Sequence, residues 1–559
     1  MGLSVITDVF RVQERASKAY LPLLLPFAGY GIFIAESIFA RPNPTWALVL
    51  LLWTFGAAAF AWWLATADGS RLLDWVDRHA SRLAIALIAV AGMAFIVVSV
   101  MQARYFALSA QAEDTAYYSQ ILWNTLHGHF LSGNVQQERI YNPPVSTDLA
   151  LHVSPIVLGL LPLYALVPNF LTLLILRDIA LVAAAWPLYR LAAERMGTAT
   201  AGLAAVVLYL ANPAVVAQGA EAFYLLHFAP LPFFYAMLAF DREDFARFMC
   251  WMAAAIVVRE DVTITLAGFG LWALVSRRRL AWVSAGLVIP AAWFALATLV
   301  IQPAFGRWGN GVMEIALAKS DQPRVGIFGF IWGNPWWFVD VMRDSGFAYL
   351  YRMLRSVGFA AAAGWDGVVA LPGLAANLAV ARIFYSGNDP ISRFALLPAC
   401  ALIGASIIVV TRFGRRNHWD LRVLAVLALV LVPSASLLDG VKDSIRSRLA
   451  LYTVRNDSAA LREAVRLVPA NASIAAPNYA LPALSRRREL YYLPYLHMYP
   501  RQQPDYVLLD RNVGRVSMNV ETQARYIALL AGFMNSTQYS RVWQRGDYVL
   551  LSRNSFGRQ

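Results

Sequence analysis

Long apolar runs separated by short polar segments dominate the sequence of 559 residues. Many of these runs approach the roughly 20 residues that an α-helix needs to cross a bilayer. The pattern predicts a polytopic helical membrane protein with about thirteen spans. The predicted spans of ordinary length are 20–40, 46–66, 83–102, 171–192, 198–217, 226–240, 280–302, 346–363, 366–384, 391–411 and 420–438.

Further apolar segments break this simple pattern. Residues 151–170 contain prolines and are barely long enough to cross, so they predict a helix that lies in or re-enters the outer leaflet. Residues 246–258 and 262–275 are short apolar pieces on either side of "VREDV" (258–262). They predict a hairpin with a charged tip.

Basic residues between the runs set the predicted orientation. Positive charge is retained on the cytoplasmic side of membrane proteins, and the segment before the first run is basic. The N-terminus is therefore predicted to be cytoplasmic, with a cytoplasmic loop at 67–82. The segments 103–170 and 303–345 are then external loops, and both are too long to be ordinary connectors.

The composition of the chain changes after residue 440. Short strand-like segments such as "DYVLLD" and "GDYVLLSR" alternate there with helical ones, which is typical of an α/β domain. The predicted organisation is a pair of additional transmembrane helices at 1–82, a transmembrane domain at 83–439, and a small extracytoplasmic α/β domain at 440–559.

The overall composition supports the membrane interpretation. Hydrophobic residues make up 59% and charged residues 14% of the chain, whereas soluble domains have about 25% charged residues. The net charge of +13 does not indicate nucleic acid, because many basic residues lie in short clusters between apolar runs. Cys250 and Cys400 lie far apart in apolar runs, without the spacing of a zinc site.

The first external loop carries the candidate chemistry. Glu113 and Asp114 follow an apolar run directly. A carboxylate at that position can act as a general base, bind a divalent cation, or cap a helix. Tyr117, Gln120, Trp123 and Asn124 follow at helical spacing, and they either line a pocket or face water.

More polar residues are predicted at the same side of the membrane. Ionisable groups at the ends of spans indicate a functional site by default. Arginines at that depth suit a lipid phosphate, although an internal salt-bridge cluster fits the same pattern. The candidates for phosphate binding are Arg259, Arg393 and His227, and those for lining a shared pocket also include His152, Glu221, Glu260 and Asp261.

The order of several motifs resembles a known family. The motifs are "EDTAYYSQILWNTLHGHFL", "HVSPIVLGLLPLYALVP", "LYRLAAERMG", "VREDVTITLAGFGLWAL" and "ALPGLAANLAV". Together they look like the predicted bacterial membrane proteins grouped as domain of unknown function (DUF) 2079. The resemblance covers roughly residues 100–510 and implies a location in the bacterial inner membrane.

That family is similar to the class C (GT-C) glycosyltransferases, which take a sugar from a polyprenyl-phosphate donor. The resemblance implies that Asp114 is the acidic residue of the first external loop, with Glu113 as the alternative. It also implies that Arg259, Glu260 and Asp261 stand where these enzymes often have a lysine near the donor phosphate. The segments "EAFYLLHFAPLPF" and "YSGNDPISRF" depart from the usual motifs.

The predicted function is therefore transfer of a sugar from a polyprenyl-phosphate donor to an unknown extracytoplasmic acceptor. Mg²⁺ or Mn²⁺ remains open as a cofactor. Two alternatives also remain open: a non-catalytic GT-C-like subunit of a membrane complex, which the altered motifs favour, and a transporter or flippase of a lipid-linked saccharide. The predicted partners are the bilayer, the lipid-linked sugar and its acceptor, and no nucleic acid.

Overall fold

A computed structural model gives the fold of the chain. It describes residue 56, residues 59, 60 and 62–64, and the ranges 66–106, 112–135, 147–305, 336–381, 391–436, 457–498, 503–516 and 520–554. The predicted span 20–40, most of 46–66 and most of the external stretch 303–345 lie outside these residues.

The membrane part consists of helices that pack around a large apolar core. Their bounds are Ala67–Tyr105, Ala112–Leu126, Ile156–Leu166, Phe170–Ala183, Ala185–Met196, Ala199–Leu210, Pro213–Gln218, Pro230–Asp241, Phe245–Ile256, Val262–Leu266, Gly268–Val275, Leu280–Ala295, Gln302–Ala304, Trp337–Val341, Phe347–Arg355, Leu371–Ala381, Leu396–Arg416 and Leu421–Ser436.

Within the described ranges, four helical stretches are long and apolar enough to cross a membrane. They are Asp68–Tyr105, Phe170–Met196, Leu280–Ala304 and Arg393–Arg416. The mostly helical character of the chain is thus confirmed, together with several apolar helices. The number of about thirteen spans stays a prediction.

The predicted loop at 67–82 is wrong, because the helix Ala67–Tyr105 runs through it without a break. Thr66 caps its N-terminus, and Asp68 lies in the first turn, where negative charge is favoured. At 1.5 Å per residue this helix is about 58 Å long, roughly twice the thickness of the hydrocarbon core. The basic residues of 67–82 therefore belong to a helical extension.

Two of the unusual apolar segments form short helices, as predicted, while their position relative to the membrane stays a prediction. The helix Ile156–Leu166 within residues 151–170 extends about 16 Å and is too short to cross. The pieces around "VREDV" form the helices Phe245–Ile256 and Val262–Val275. A turn between them carries Arg259, Glu260 and Asp261.

The C-terminal region forms the predicted small α/β domain. Its strands are β1 (Ile474–Ala476), β2 (Leu490–Tyr492), β3 (Tyr506–Asp510), β4 (Tyr539–Arg545) and β5 (Tyr548–Arg553), and its helices are Ser458–Leu467, Leu481–Leu484 and Val520–Met534. The strand order is β2-β1-β3-β5-β4. The first three strands are parallel, while β4 and β5 form an antiparallel hairpin beside β3.

Both faces of this sheet are covered. Alternate residues of β3 enter two separate apolar clusters: Leu508 packs on one face and Leu509 on the other. The first cluster also includes Phe106 and Ala116 from the membrane part. The domain therefore contacts the C-terminal end of the helix Ala67–Tyr105 and the helix Ala112–Leu126.

A close backbone contact joins two apolar helices. A Cβ atom on Gly286 would lie 2.2 Å from the backbone nitrogen of Gly270. We expect Gly286→Ala to lower the free energy of unfolding by about 1–3 kcal/mol, because the helices must separate to accommodate the methyl group. Thermal unfolding of the detergent-solubilised protein measures this change.

Gly159→Ala is the matched control, since a Cβ atom there meets nothing within 4 Å. It lies in a helix and should be neutral or slightly stabilising. Equal unfolding midpoints for the two variants would contradict the proposed helix contact.

Candidate functional site

The helix Ala112–Leu126, here called the loop helix, is buried between the membrane part and the C-terminal domain. Glu113 and Asp114 at its start are each only 5% exposed. The side-chain oxygen Oδ1 of Asn478, which follows β1, accepts a hydrogen bond of 2.8 Å from the backbone N–H of Glu113. The polar face of the loop helix therefore does not lie open to water.

The second half of the loop helix holds the C-terminal domain. Gln120 Nε2 donates to the carbonyl of Arg488 at 3.0 Å and to Asn134 Oδ1 at 2.7 Å. Asn124 donates to the carbonyl of Ser132 at 2.9 Å. These predicted pocket residues thus lie at the domain interface.

Trp123 lies toward the exposed end of the loop helix. Its ring stacks on His127, with 3.8 Å between ring centroids. Asp114 lies at the opposite end of the same helix.

Asp114 forms an ion pair with Arg393, which is distant in sequence. The distance from Oδ2 to Nη1 is 3.2 Å, and both side chains are largely buried. The guanidinium carbon of Arg393 lies 3.8 Å from the centre of the Tyr224 ring. The guanidinium carbon of Arg259 lies 5.3 Å from the same ring. The guanidinium groups of Arg259 and Arg393 therefore both lie near the ring of Tyr224.

The tip of the hairpin is tied to the segment before the helix Ile156–Leu166. Arg259 donates two hydrogen bonds to the carboxylate of Asp261, one of them 2.7 Å long from Nε. Glu260 accepts from His152 Nδ1 at 2.8 Å and from the backbone N–H of Val153 at 2.9 Å. Predicted site residues from three distant segments are thus brought together.

Sequence reasoning missed Asp148, which the structure adds to this group. It is 1% exposed, and its Oδ1 accepts a 2.7 Å hydrogen bond from the hydroxyl of Tyr117. Burial raises the pKa of Asp148 to about 6, although His152 and the Tyr117 hydrogen bond lower it. The only signal in the sequence is an acidic residue shortly before the proline-containing segment.

Tyr118, Arg259 and Asp148 belong to one electrostatic cluster, and each of them is at most 3% exposed. Arg259 donates to Asp261 through Nε and Nη2, and Asp148 accepts from Tyr117 at Oδ1. Burial raises the pKa of Tyr118, and charges on Asp148, Arg259 and Asp114 all act on it. Charged and polar side chains from several segments therefore gather around Tyr118.

His227 lies next to the cluster and is held there by two hydrogen bonds. Its Nδ1 accepts from the backbone N–H of Tyr224 at 3.1 Å, so Nε2 carries the proton and donates to Gln218 Oε1 at 2.9 Å. Gln218 in turn donates to the carbonyl of Ile391, close to Arg393. Both ring nitrogens are occupied, and direct phosphate binding by His227 stays a prediction.

A second buried ion pair, also missed, lies inside the candidate span Phe170–Met196. Arg177 and Asp178 are fully buried, and Asp178 Oδ2 accepts a 2.6 Å hydrogen bond from Ser99. Arg177 pairs with Asp178 and donates to the carbonyls of Gly219 and Glu221. Glu221 is thereby held at the start of the segment that carries Tyr224.

Within the described residues, no group of three or more His, Cys, Asp or Glu side chains is arranged to hold a metal ion. A role for Mg²⁺ or Mn²⁺ stays a prediction.

The buried pair of Arg177 and Asp178 allows a stability test. Asp178→Asn leaves an arginine without a counter-charge inside the fold, and we expect it to lower the free energy of unfolding by about 3–5 kcal/mol. Asp68→Asn breaks an exposed pair with Arg71 and should cost less than about 1 kcal/mol. Similar unfolding midpoints for the two variants would contradict the burial of the inner pair.

Comparison with known proteins gives one family. The family model described as "Predicted membrane protein (DUF2079)" matches residues 104–550. No curated protein matches the chain. The matched range begins at the end of the first helix and includes the loop helix, the hairpin and nearly all of the C-terminal domain. The chain is a membrane protein that belongs to the DUF2079 family.

Proposed function

We propose that this protein is a glycosyltransferase that moves a sugar from a polyprenyl-phosphate donor to an extracytoplasmic acceptor. One observation carries the proposal: Arg259 and Arg393 converge on the ring of Tyr224 beside buried carboxylates. The resemblance to class C glycosyltransferases agrees with it. Arg259, Arg393 and Asp114 come from three segments far apart in sequence.

The two arginines suit the phosphate of the donor. When the bond from the anomeric carbon to the phosphate breaks, negative charge builds up on the phosphate oxygens and needs fixed cations. Guanidinium groups bind phosphate through paired hydrogen bonds and remain charged when buried. The hydrogen bonds of Arg259 to Asp261 use Nε and Nη2, which leaves Nη1 for this role.

The neighbouring groups suit the sugar and the acceptor. Tyr117 and Tyr118 on the loop helix offer aromatic surface, and Asp114 places a carboxylate beside Arg393. The resemblance implies that Asp114 is the base, while its ion pair with Arg393 also suits it to orient that arginine. In this proposal, the C-terminal domain selects the acceptor, because it covers the loop helix.

The proposal includes a topology. The protein lies in the bacterial inner membrane with a cytoplasmic N-terminus, and the cluster and the C-terminal domain lie on the extracytoplasmic side. The lipid tail then stays in hydrocarbon, while the phosphate reaches the arginines at the membrane edge. The basic N-terminal segment supports this orientation.

A non-catalytic subunit is the second candidate. Its support is that Arg259, Arg393 and His152 each already pair with a carboxylate inside the protein. A self-satisfied cluster of this kind also fits a structural role in a membrane complex. The two candidate functions predict different effects of a single carboxylate substitution on the amount of the dependent glycan.

Mass spectrometry of surface glycans, glycolipids and glycoproteins in the native host tests the proposal. A deletion strain is complemented with the wild type, Asp114→Asn or the exposed control Asp68→Asn, at equal membrane levels. We expect one glycan to vanish on deletion and to return with the wild type and the control. Asp114→Asn should lower it about 10- to 100-fold, because a charge-assisted contact is lost.

Two other results would contradict the proposal. If no glycan depends on the protein, it is not a glycosyltransferase. If deletion removes a glycan that Asp114→Asn fully restores, the site is not catalytic, and a subunit or a transporter is indicated instead.

A further inference from the structure

Asp148 is held rigidly at the junction of three segments. Its backbone N–H donates to the carbonyl of Leu131 at 2.8 Å, which pins it to the chain that leaves the loop helix. Its carbonyl accepts from the backbone N–H of His152 at 2.7 Å, which fixes the start of the next segment. The side chain therefore has a defined position, although it lies in a 3₁₀ helix of only three residues, Asp148–Ala150.

The carboxylate of Asp148 has one occupied and one available oxygen. Oδ1 accepts from Tyr117, and the hydrogen bonds of Asp148 to described side chains leave Oδ2 unused. The residue as a whole is 1% exposed, and Oδ2 is not one of the fully buried side-chain atoms that lack a partner. An acceptor oxygen that the protein itself does not use can take a proton or a hydroxyl group of a ligand.

The groups that act on this carboxylate come from each surrounding segment. The hairpin tip contributes Glu260 and Arg259, the following segment contributes His152, and the loop helix contributes Tyr117 and the nearby hydroxyl of Tyr118. The helix end that packs against this segment contributes Gln302, which is uncharged and donates to the carbonyl of Leu151 at 3.2 Å.

Asp114 stands in a different environment. Its Oδ2 lies 3.2 Å from Nη1 of Arg393, so a full positive charge stabilises the ionised carboxylate. An ion-paired carboxylate is a weak base, whereas a buried carboxylate with a hydroxyl partner holds a proton more readily. Two carboxylates of one site whose environments differ in this way commonly have different roles.

We infer that Asp148 is the general base that takes the proton of the acceptor hydroxyl, and that Asp114 orients Arg393. This inference rests on the proposed glycosyltransferase function. The hydroxyl proton moves to Oδ2 of Asp148 as the hydroxyl oxygen forms its bond to the anomeric carbon. The bond from that carbon to the donor phosphate breaks, and its electron pair leaves with the phosphate, which Arg393 and Arg259 stabilise. The products are a glycoside, polyprenyl phosphate and protonated Asp148.

The direction of the pH dependence follows from the environment. Burial raises the pKa of Asp148 to about 6, so the base is lost as the external pH falls through that value. The Tyr117 hydroxyl hydrogen bond favours the ionised form and lowers the pKa. Tyr117→Phe removes this hydrogen bond, so the acid limb of the reaction should move to higher pH.

The test combines two measurements. Pulse labelling of the dependent glycan in whole cells at several external pH values gives the rate, since the proposed site faces the outside. Infrared titration of the purified full-length protein follows carboxyl protonation without any substrate. The variants are Asp148→Asn, Tyr117→Phe and the exposed control Asp68→Asn, all at matched levels.

The expected results are specific. Asp148→Asn should slow labelling at least about 100-fold and remove a carboxyl titration near pH 6. Tyr117→Phe should keep activity at high pH and shift both the acid limb and the infrared titration upward. Because Tyr117→Phe retains the ring, it tests the inference even if Asp148→Asn fails to fold.

The experiment distinguishes failure of the proposed function from failure of the inference about Asp148. If no glycan depends on the wild type, the proposed function fails and the inference fails with it. If a glycan depends on the wild type but Asp148→Asn produces it at the normal rate, only the inference is overturned. An acid limb and titration that do not move in Tyr117→Phe would also overturn it.

Discussion

The ion pair between Asp114 and Arg393 joins two parts of the chain that are otherwise far apart. Asp114 lies in the loop helix, and Arg393 lies at the start of a candidate membrane span. Taking both charges out of water is costly, and their close approach and the aromatic ring of Tyr224 help to offset that cost. Arg259 of the hairpin tip and Tyr118 of the loop helix lie beside the same Tyr224 ring.

The C-terminal domain completes the same arrangement from the other side. Asn478 caps the start of the loop helix, and the carbonyl of Arg488 accepts from Gln120 further along. The loop helix is thus fixed between two folded bodies. Such rigid support is what a site needs when its polar groups must hold a reacting geometry.

The sequence predicted the class of fold and many residues of the cluster. Long apolar runs identify membrane helices because backbone groups in lipid must be satisfied internally, and the alternation after residue 440 identified the α/β domain.

The helix through 67–82 was not predicted, because its polar residues are also typical of a loop between two spans. Asp148 and the Arg177–Asp178 pair were missed because their roles depend on burial and on distant partners. Gln120 and Asn124 share a helical face, but the sequence does not reveal that a separate domain covers it.

The central claim is that Arg259 and Arg393 form a site for the phosphate of a lipid. A cryo-EM structure of the full-length protein in nanodiscs that contain polyprenyl phosphate tests it most directly. The account predicts a phosphate within hydrogen-bond reach of both guanidinium groups, with the lipid tail leading into the bilayer. A phosphate bound elsewhere, or the Asp114–Arg393 pair unchanged with no phosphate beside it at saturating lipid, would contradict the account.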